Sequence, residues 1–429
     1  MTEASIEGAA AAGAPPAAGS GDAVEAQCAR VGTADVVVAL LTYNNAATAP
    51  AVAAVARAAL ARHAGGASAA LVVADAGSAD GTPGLLAGAG LPAVLLTHEA
   101  PLTERASVPF HGVPGRGAAL LAVFEVARRL QARAVLVLEA DVTSLTEDWI
   151  ARLLQPLRDE KADLVNPVYA RHRYDGAITN LLLAPLIRAL YGRRLRQPLA
   201  GTIGLSARLL DHLLAHPRSV WSARAVVDLW IVGTAIADGF SVWEAWVGRR
   251  RVESRTRTAE LPAMMAQTLG AVFTVMDRHR DLWVDVRGSE ALPSVGTPTP
   301  PSTEPMAVDV ERMIAGFRLG LQDLGPIWEQ ILAPDTLGDV LALEVTDAGR
   351  FRFPDDLWAR VVYDFALAHH YGVVHRDHLL RSLVPLHLGR TAAFVLATQR
   401  ADAAATEGAV EAVGAAFERL KPYLVERWR

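Results

Sequence analysis

The chain has 429 residues, 52% of them hydrophobic, with a formal net charge of −5 and a single cysteine. This length exceeds what one ordinary hydrophobic core supports and predicts more than one domain. The mixed, slightly acidic charge argues against a general nucleic-acid binder, and a lone Cys28 excludes a disulfide within the chain. We therefore expect a cytoplasmic protein.

Residues 1–30 are rich in Ala, Gly and Pro and lack the basic start of a signal peptide, so we expect a disordered leader that contains Cys28. No apolar run reaches the roughly 18 residues that a membrane-spanning helix needs, which argues against a membrane span. The best candidate, residues 181–191, is short and contains Arg188, and we interpret it as a buried helix.

The front of the chain alternates strand and helix patterns. Residues 36–42 form an apolar, β-branched run typical of a buried parallel strand, and an alanine-rich helix is predicted at 50–62. Further strands are predicted at 71–74, 92–96 and 134–138, with a helix at 117–130. This order predicts an α/β fold with an open, Rossmann-like sheet and helices on both faces. Ligands of such sheets bind at the carboxyl ends of the strands.

Strand patterns fade beyond residue 261, and residues 288–305 are rich in Pro, Ser and Thr, which indicates a loop. Helices are predicted at 308–324, 355–371, 377–397 and 406–428. We therefore divide the chain into a leader (1–30), a catalytic domain (31–262) and a mostly helical C-terminal domain (263–429). An exposed face of the helical domain is compatible with a homodimer.

Polar residues follow the first two predicted strands. The first strand ends in Thr42, Tyr43 and Asn44, and the second ends in Asp75, followed by a loop that contains Gly77. Small residues let the backbone approach a ligand closely, and a carboxylate at a strand end can accept hydrogen bonds from a base or a ribose. A capped turn that leads into a helix is the competing interpretation.

The fourth predicted strand is followed by Glu139 and Asp141. Two carboxylates separated by one residue on an extended segment point to the same face. Hard oxygen ligands suit Mg²⁺ or Mn²⁺, so the pair predicts a divalent cation held against a diphosphate. An ordinary acidic strand end is the alternative.

In combination, these segments resemble the GT-A glycosyltransferases, in particular mannosylglycerate synthase, glucosylglycerate synthase and glucosyl-3-phosphoglycerate synthase. The resemblance covers roughly residues 35–400 and includes motifs outside the nucleotide-binding fold. Its further segments are PGRG at 114–117, EADVTSLTEDWI at 139–150, RYDGAIT at 173–179, RQPLAGTIGLS at 196–206, VVDLWI at 226–231, RFPDDLWARVVYDFALAHHYG at 352–372 and LVPLHLGR at 383–390.

The resemblance implies a retaining transfer of a hexose from a GDP- or UDP-linked sugar. It implies that Asp141 binds the metal and that Glu139, where the family usually has Asp, is its partner. The remaining positions that it assigns to the donor are Leu41, Tyr43, Asn44, Asp75, Gln197 and Gly201.

The resemblance also assigns catalytic and acceptor positions. Arg116 lies next to the diphosphate, where its charge would offset the leaving phosphate, and Asp228 matches a carboxylate near the reacting sugar carbon. Arg171 and Thr179 match positions that bind an acceptor carboxylate, and an arginine fork suits glycerate or 3-phosphoglycerate. Each of these residues also has a purely structural alternative. Arg116 is then a surface arginine, Arg171 is part of a solvated turn, and Asp228 is an N-cap or a salt-bridge partner.

One departure from the family concerns the metal. The family usually supplies a histidine ligand after the last strand of the catalytic domain, which is predicted here at 240–247. The following segment, 249–255, contains no histidine, and Glu253 falls closest to the position. The segment instead carries a basic run, residues 249–251, that is able to contact the diphosphate. Two alternatives therefore stay open: a GT-A transferase with another acceptor, and a non-catalytic nucleotide-sugar-binding protein.

Overall fold

The structure is a computed structural model that describes residues 21–106, 112–222, 226–252, 261–343 and 348–429. Its strands are β1 (Val36–Thr42), β2 (Ala69–Asp75), β3 (Ala93–Thr97), β4 (Ala134–Glu139), β5 (Leu164–Ala170), β6 (Arg193–Arg194), β7 (Ile203–Ser206), β8 (Val242–Arg249), β9 (Glu290–Ala291) and β10 (Ser294–Val295). Eight of them form one sheet in the order β10-β8-β5-β7-β4-β1-β2-β3, while β6 pairs with β9. Within the eight-stranded sheet, β7 runs antiparallel to β4 and β5, and the other pairings are parallel.

Strands β1, β2 and β4 are apolar up to their last residue because both faces of the sheet are covered. Every residue of β1 is buried, which is the pattern expected of a parallel strand between two layers of helices. In the register of the sheet, Thr42 lies opposite Asp75 and Leu41 lies opposite Glu139. The carboxyl ends of β1, β2 and β4 therefore meet at one edge, where the polar residues of the sequence motifs begin.

The helices are α1 (Gly21–Val31), α2 (Ala49–His63), α3 (Thr82–Ala87), α4 (Leu102–Ala106), α5 (Arg116–Arg129), α6 (Glu147–Arg158), α7 (Ala184–Tyr191), α8 (Ala207–Leu214), α9 (Arg218–Ser222), α10 (Val227–Ala237), α11 (Leu261–Arg278), α12 (Arg280–Trp283), α13 (Val310–Ile331), α14 (Pro334–Ala342), α15 (Asp355–Tyr371), α16 (Arg376–Thr398) and α17 (Ala403–Arg427). A π-helical turn, Thr179–Leu183, precedes α7. Helices α2 and α6 cover one face of the sheet, and α5, α7, α8 and α10 cover the other. The predicted α/β architecture with helices on both faces is confirmed.

The C-terminal helices extend the second of these layers. Helix α17 packs against α7, and α16 packs against α13 and α11. The indole of Trp358 in α15 donates a hydrogen bond to the carbonyl of Leu181 (2.5 Å), which lies in the π-helical turn. One continuous hydrophobic core thus joins the helical region to the sheet face that carries α7, and the domain division at 262/263 stays a prediction.

Two expectations require correction. Residues 21–30, predicted to be disordered, belong to α1, because the side-chain amide of Gln27 bonds to both backbone groups of Leu95 on the edge strand β3. Cys28 is accordingly buried, whereas residues 1–20 lie outside the described residues. Within the predicted loop 288–305, the segment Ser294–Val295 instead forms β10 at the edge of the main sheet.

A helix other than the segment 181–191 has the length and composition of a membrane span. Helix α16 is long and apolar enough to cross a membrane, but 78% of its most apolar stretch is buried inside the protein. The segment 181–191 is buried, as predicted, and is divided between the π-helical turn and α7.

Candidate functional site

The loops after β1 and β2 are bonded to each other at the edge of the sheet. The backbone N–H of Asn44 donates to Ser78 Oγ (2.7 Å), and Asn44 Oδ1 accepts from the backbone N–H of Ala79 (2.8 Å). Asn44 adopts a φ of 53°, a left-handed conformation that asparagine tolerates better than most residues. The half-buried Tyr43 lies beside it, and its hydroxyl donates to the Arg105 carbonyl (3.4 Å).

Asp75 organises this pair of loops. Its carboxylate accepts hydrogen bonds from Thr42 Oγ1, from the backbone N–H of Gly77 and from both N–H and Oγ of Ser78, at 2.5–2.9 Å. Two carboxylate oxygens offer about four acceptor sites, so these bonds use them all. These bonds form the capped turn named as the alternative, and the assignment of Asp75 to the nucleotide donor stays a prediction.

A narrow cleft opens at the carboxyl ends of β1 and β4. It is lined by Leu41, Asn45, Gly112, Val113, Arg116, Leu138, Glu139, Ala140 and Asp141. The cleft thus brings together one predicted base contact, the predicted diphosphate contact and both members of the acidic pair. These residues are up to one hundred positions apart in the sequence, and the register of the parallel strands unites them.

Arg116 and Asp228 form a buried, two-pronged ion pair at the base of this cleft. Arg116 Nε donates to Asp228 Oδ2 (2.8 Å) and Nη2 donates to Oδ1 (2.6 Å), while Nη2 also donates to the Gly201 carbonyl (2.7 Å). Both side chains are less than one tenth exposed. Burial alone would lower the pKa of Arg116, but the charge of Asp228 outweighs it and raises this pKa. The first turn of α5 and the first turn of α10 are thereby fixed to each other.

Glu139 is held by a second arginine. Arg250 Nε donates to Glu139 Oε2 (2.9 Å) and Nη2 donates to Oε1 (2.5 Å). Gly201 lies against the same carboxylate: its φ is +79°, and a Cβ atom there would stand 2.5 Å from Glu139 Cδ. The segment after β8 was predicted only as a basic run, and the sequence offered no signal that its middle member pairs with Glu139.

The predicted metal ligands do not form a cation site among the described residues. Both oxygens of Glu139 accept from Arg250, and Glu253 lies outside the described residues. No group of three His, Cys, Asp or Glu side chains with metal-binding geometry occurs within the described ranges. Among the described residues, Glu139 is therefore paired with an arginine and not placed as a ligand of Mg²⁺ or Mn²⁺, and Asp141 and Glu253 stay predicted ligands.

The Gly201 contact gives a stability prediction. We expect Gly201→Ala to lower the free energy of unfolding by more than the roughly 1–2 kcal/mol that a left-handed φ costs, because the new Cβ also displaces the Glu139 carboxylate. Gly239→Ala is the matched control, since its φ is +76° with nothing within 4 Å of the added Cβ. Urea denaturation measures both, and equal losses would contradict the contact.

Arg171 lies on the wall of a much larger cavity of about 370 Å³, between the sheet and α17. Its guanidinium makes no hydrogen bond or ion pair to any described residue, and its Cζ stands 6.0 Å from the centre of the Tyr169 ring. Burial, followed by the charge of Arg250, lowers the pKa of Arg171. An arginine in this environment is poised to receive an anion.

The same cavity contains a carboxyl group that the sequence analysis missed. Glu244, in the middle of β8, is 5% exposed, and its Oε1 accepts from the backbone N–H of Arg196 (2.7 Å). Burial raises its pKa to about 7, although Arg196 opposes this shift. A lone glutamate within the apolar run VWEAWV was the available signal.

We expect Glu244 to make folding pH-dependent. A carboxyl whose pKa rises from 4.5 to about 7 on folding stabilises the protein fully below the unfolded value, and this stability is lost as the pH rises through the folded value. At roughly 1.4 kcal/mol per pH unit, the loss is about 3 kcal/mol. Urea denaturation at pH 4.5 and 7.5 should show this fall in the wild type relative to Glu244→Gln. Parallel pH profiles for the two proteins would contradict it.

The remaining predicted site residues, Thr179, Gln197 and Gly201, make different kinds of contact. Thr179 is buried at the start of the π-helical turn, and both Thr179 and Arg171 approach Gly176. Gln197 lines the Arg171 cavity, but its amide bonds to both backbone groups of Tyr169, at 3.2 and 2.8 Å. These bonds hold the loop of Gln197 against β5, and the assignment of Gln197 to the donor stays a prediction. The carbonyl of Gly201 accepts a hydrogen bond from Arg116, and the absence of a Cβ atom at Gly201 leaves room for the Glu139 carboxylate.

The fold and the cleft define a protein of the open-sheet α/β class with its candidate site at the carboxyl edge of the strands. No protein-family model and no curated protein matches the chain. Among solved structures, it is similar to glucosyl-3-phosphoglycerate synthase from Mycobacterium tuberculosis in complex with Mn²⁺, UDP and glucosyl-3-phosphoglycerate, with 23% identity, a TM-score of 0.43, and coverage of 60% of this chain and 83% of that chain. The same enzyme with Mn²⁺, UDP-glucose and phosphoglyceric acid matches with 23% identity, a TM-score of 0.42, and coverage of 60% and 82%.

Proposed function

We propose that this chain is a glycosyltransferase that moves a hexose from a nucleoside diphosphate sugar to a small hydroxy acid, glycerate or 3-phosphoglycerate. The observation that carries the proposal is the meeting of Arg116, Asp228, Gly201 and Glu139 in one bonded group beside the cleft. Each lies in a different segment of the GT-A resemblance, and the resemblance assigns all of them to the donor or the reacting sugar. An arrangement that served only folding would not need these four segments to converge beside an open cleft.

The donor half of the reaction uses Arg116. Its bonds to Asp228 and Gly201 use Nε and Nη2, so the two N–H groups on Nη1 are left for a phosphate oxygen. Because the guanidinium is already oriented by Asp228, it stabilises charge on the leaving diphosphate without reorganising. Leu41, Tyr43 and Asn44 at the end of β1 offer the apolar and polar surface for the base.

Asp228 has the second donor-side role. Its buried carboxylate holds Arg116 and supplies negative charge near the position assigned to the sugar carbon. With retention of configuration, the acceptor hydroxyl passes its proton to the departing phosphate oxygen as the new glycosidic bond forms. Asp228 then stabilises positive charge at the anomeric carbon and need not remove a proton itself.

The acceptor half uses the cavity beside Arg171. The unpaired guanidinium receives the acceptor's carboxylate in a two-pronged contact. Arg171 and Arg250 both stand over the Tyr169 ring, at 6.0 and 5.5 Å from its centre, so the acceptor cavity adjoins the residues around Glu139. An acceptor held there lies next to a sugar held in the cleft.

The test is release of nucleoside diphosphate from a panel of GDP-, UDP- and ADP-sugars, with D-glycerate or 3-phosphoglycerate, in the presence of Mg²⁺, Mn²⁺ or EDTA. Release that requires the acceptor supports the proposal and identifies donor and acceptor together. Binding of a nucleotide sugar without release or hydrolysis would support the second candidate, a non-catalytic nucleotide-sugar-binding protein. The pairing of Glu139 with Arg250 is the observation that favours this second candidate.

A further inference from the structure

The segment that follows β8 is fixed beside the acidic pair by its backbone. The N–H of Thr143 donates to the Arg251 carbonyl (2.9 Å), and the N–H of Arg251 donates to Ser144 Oγ (2.8 Å). Val142 and Val252 form an antiparallel bridge next to these bonds. Arg250 is therefore held directly over the residues that flank Asp141, and its position does not depend on its side chain alone.

The side chain of Arg250 is tightly held as well. Its fork bonds both oxygens of Glu139, its Cζ stands 5.5 Å from the centre of the Tyr169 ring, and only 25% of the side chain is exposed. Two parallel bonds between a guanidinium and a carboxylate combine geometric specificity with charge, which makes them among the stronger polar contacts in proteins. The charge of Asp141 also contributes to raising the pKa of Arg250, so this one guanidinium interacts electrostatically with both carboxylates.

The Glu139 carboxylate is not open to a divalent ion in this arrangement, because both of its oxygens accept from Arg250. The backbone of Gly201 also lies close to this carboxylate, since a Cβ atom there would stand 2.5 Å from Glu139 Cδ. The residue closest to the position that the resemblance gives to a histidine ligand, Glu253, lies outside the described residues, and its neighbour Val252 pairs with Val142. The described part of the chain thus places an arginine at the acidic pair and provides no third ligand there.

We propose that Arg250 takes the place of the divalent cation at the acidic pair, so that this chain binds the donor's diphosphate without a metal ion. The inference rests on the proposed function and adds a binding residue to it. A guanidinium fork that matches a carboxylate also matches two phosphate oxygens. Arg250 exchanges its bonds to Glu139 for bonds to the diphosphate when the donor arrives, and Glu139 is the residue that holds Arg250 in position until then.

The first test needs no nucleotide and measures Mn²⁺ binding by the loss of the free-ion signal in electron paramagnetic resonance. We expect the wild type to bind Mn²⁺ weakly and Arg250→Gln to bind it at least about tenfold more tightly, because the variant frees the Glu139 carboxylate. The double variant Arg250→Gln/Glu139→Gln should lose this gain. Equally tight binding by the wild type and Arg250→Gln would overturn the inference.

A matched control separates this effect from the loss of any arginine. Arg208 forms a two-pronged pair with Asp163, whose side chain is 9% exposed, the same fraction as that of Glu139. Asp163 lies at the opposite end of the sheet, at the start of β5. Arg208→Gln should leave Mn²⁺ binding unchanged, and a gain equal to that of Arg250→Gln would overturn the assignment of the effect to the acidic pair.

The second test measures binding of UDP and GDP by calorimetry, in EDTA and in Mn²⁺. We expect the wild type to bind its nucleotide within about twofold in both conditions, and Arg250→Gln to lose at least about tenfold in EDTA and recover in Mn²⁺. Wild-type binding that collapses in EDTA would overturn the inference. Failure of every nucleotide to bind in either condition would instead reject the proposed function, and the Mn²⁺ measurement would still decide the role of Arg250.

Discussion

Replacing Asp228 should slow hexose transfer by about 10²–10³-fold while leaving nucleotide binding measurable. In Asp228→Asn, the side chain keeps its volume but loses the charge that orients Arg116 and that, in the proposed function, stabilises the anomeric carbon. Loss of one preorganised electrostatic contact of this kind typically lowers kcat by about 10²–10³-fold. Product formation under saturating donor and acceptor is the measurement, with the Kd for the nucleoside diphosphate as the accompanying readout.

Stability measurements distinguish this catalytic role from a purely structural one. Asp228→Ala leaves Arg116 buried without its partner, so we expect a loss of about 3–5 kcal/mol in the free energy of unfolding. The double variant Arg116→Met/Asp228→Leu replaces the pair by apolar groups and should recover most of that loss, but no activity. Full turnover by Asp228→Ala would contradict the proposed role of Asp228 in hexose transfer. Activity restored together with stability in the double variant would show that the pair serves folding only.

The sequence predicts the sheet well because its strands are unusually uniform. The segment that forms β1 is apolar at every position up to Thr42, and an apolar strand bounded by polar residues has few alternatives to the centre of a parallel sheet. The carboxyl-edge rule then placed Leu41, Glu139 and Asp141 near one another without coordinates, and the structure lines one cleft with them. Local pattern and topology were sufficient for this part of the site.

The sequence does not predict which polar groups bond to one another. Asp75 and Gln197 occupy positions assigned to the donor, yet backbone and hydroxyl groups of nearby loops use their hydrogen-bonding capacity. The pairing of Glu139 with Arg250 joins residues 111 positions apart, and it depends on the backbone bridge at Val142. Such bonds follow from loop geometry, which residue periodicity does not encode.

Short elements were missed for a related reason. Helix α1 has no strong apolar periodicity, and tertiary contacts place it: the Gln27 amide bonds to the edge strand β3, and Cys28 is buried in the core. Strand β10 has two residues, too few to show any alternation, and its contact with β8 makes it part of the sheet. Elements that are placed mainly by tertiary contacts carry little local signal.

Replacing Arg171 should affect stability and acceptor binding in opposite directions. Its half-buried guanidinium has no hydrogen-bonding partner among the described residues and lies near a like charge, Arg250, and both partial burial and this charge lower its pKa. The charged form of Arg171 is therefore less favourable in the folded state than in the unfolded state. Arg171→Met should leave the free energy of unfolding unchanged or raise it by about 1 kcal/mol. The acceptor, in contrast, loses a charge-assisted contact of roughly 1.5–3 kcal/mol, and its KM should rise about tenfold to a hundredfold.

A neighbouring arginine provides the control for this trade-off. Arg173 lines the same cavity, but its guanidinium donates to the carbonyls of Thr398, Ala401 and Gln399 at the end of α16. Arg173→Met should therefore lower stability and change the acceptor KM little, the reverse of the pattern for Arg171→Met. Stability alone does not explain a half-buried guanidinium that lies beside a second cation and has no bond to a described residue. An Arg171→Met variant that loses stability and keeps its acceptor KM would show that Arg171 serves the fold, and the acceptor would then have to bind elsewhere.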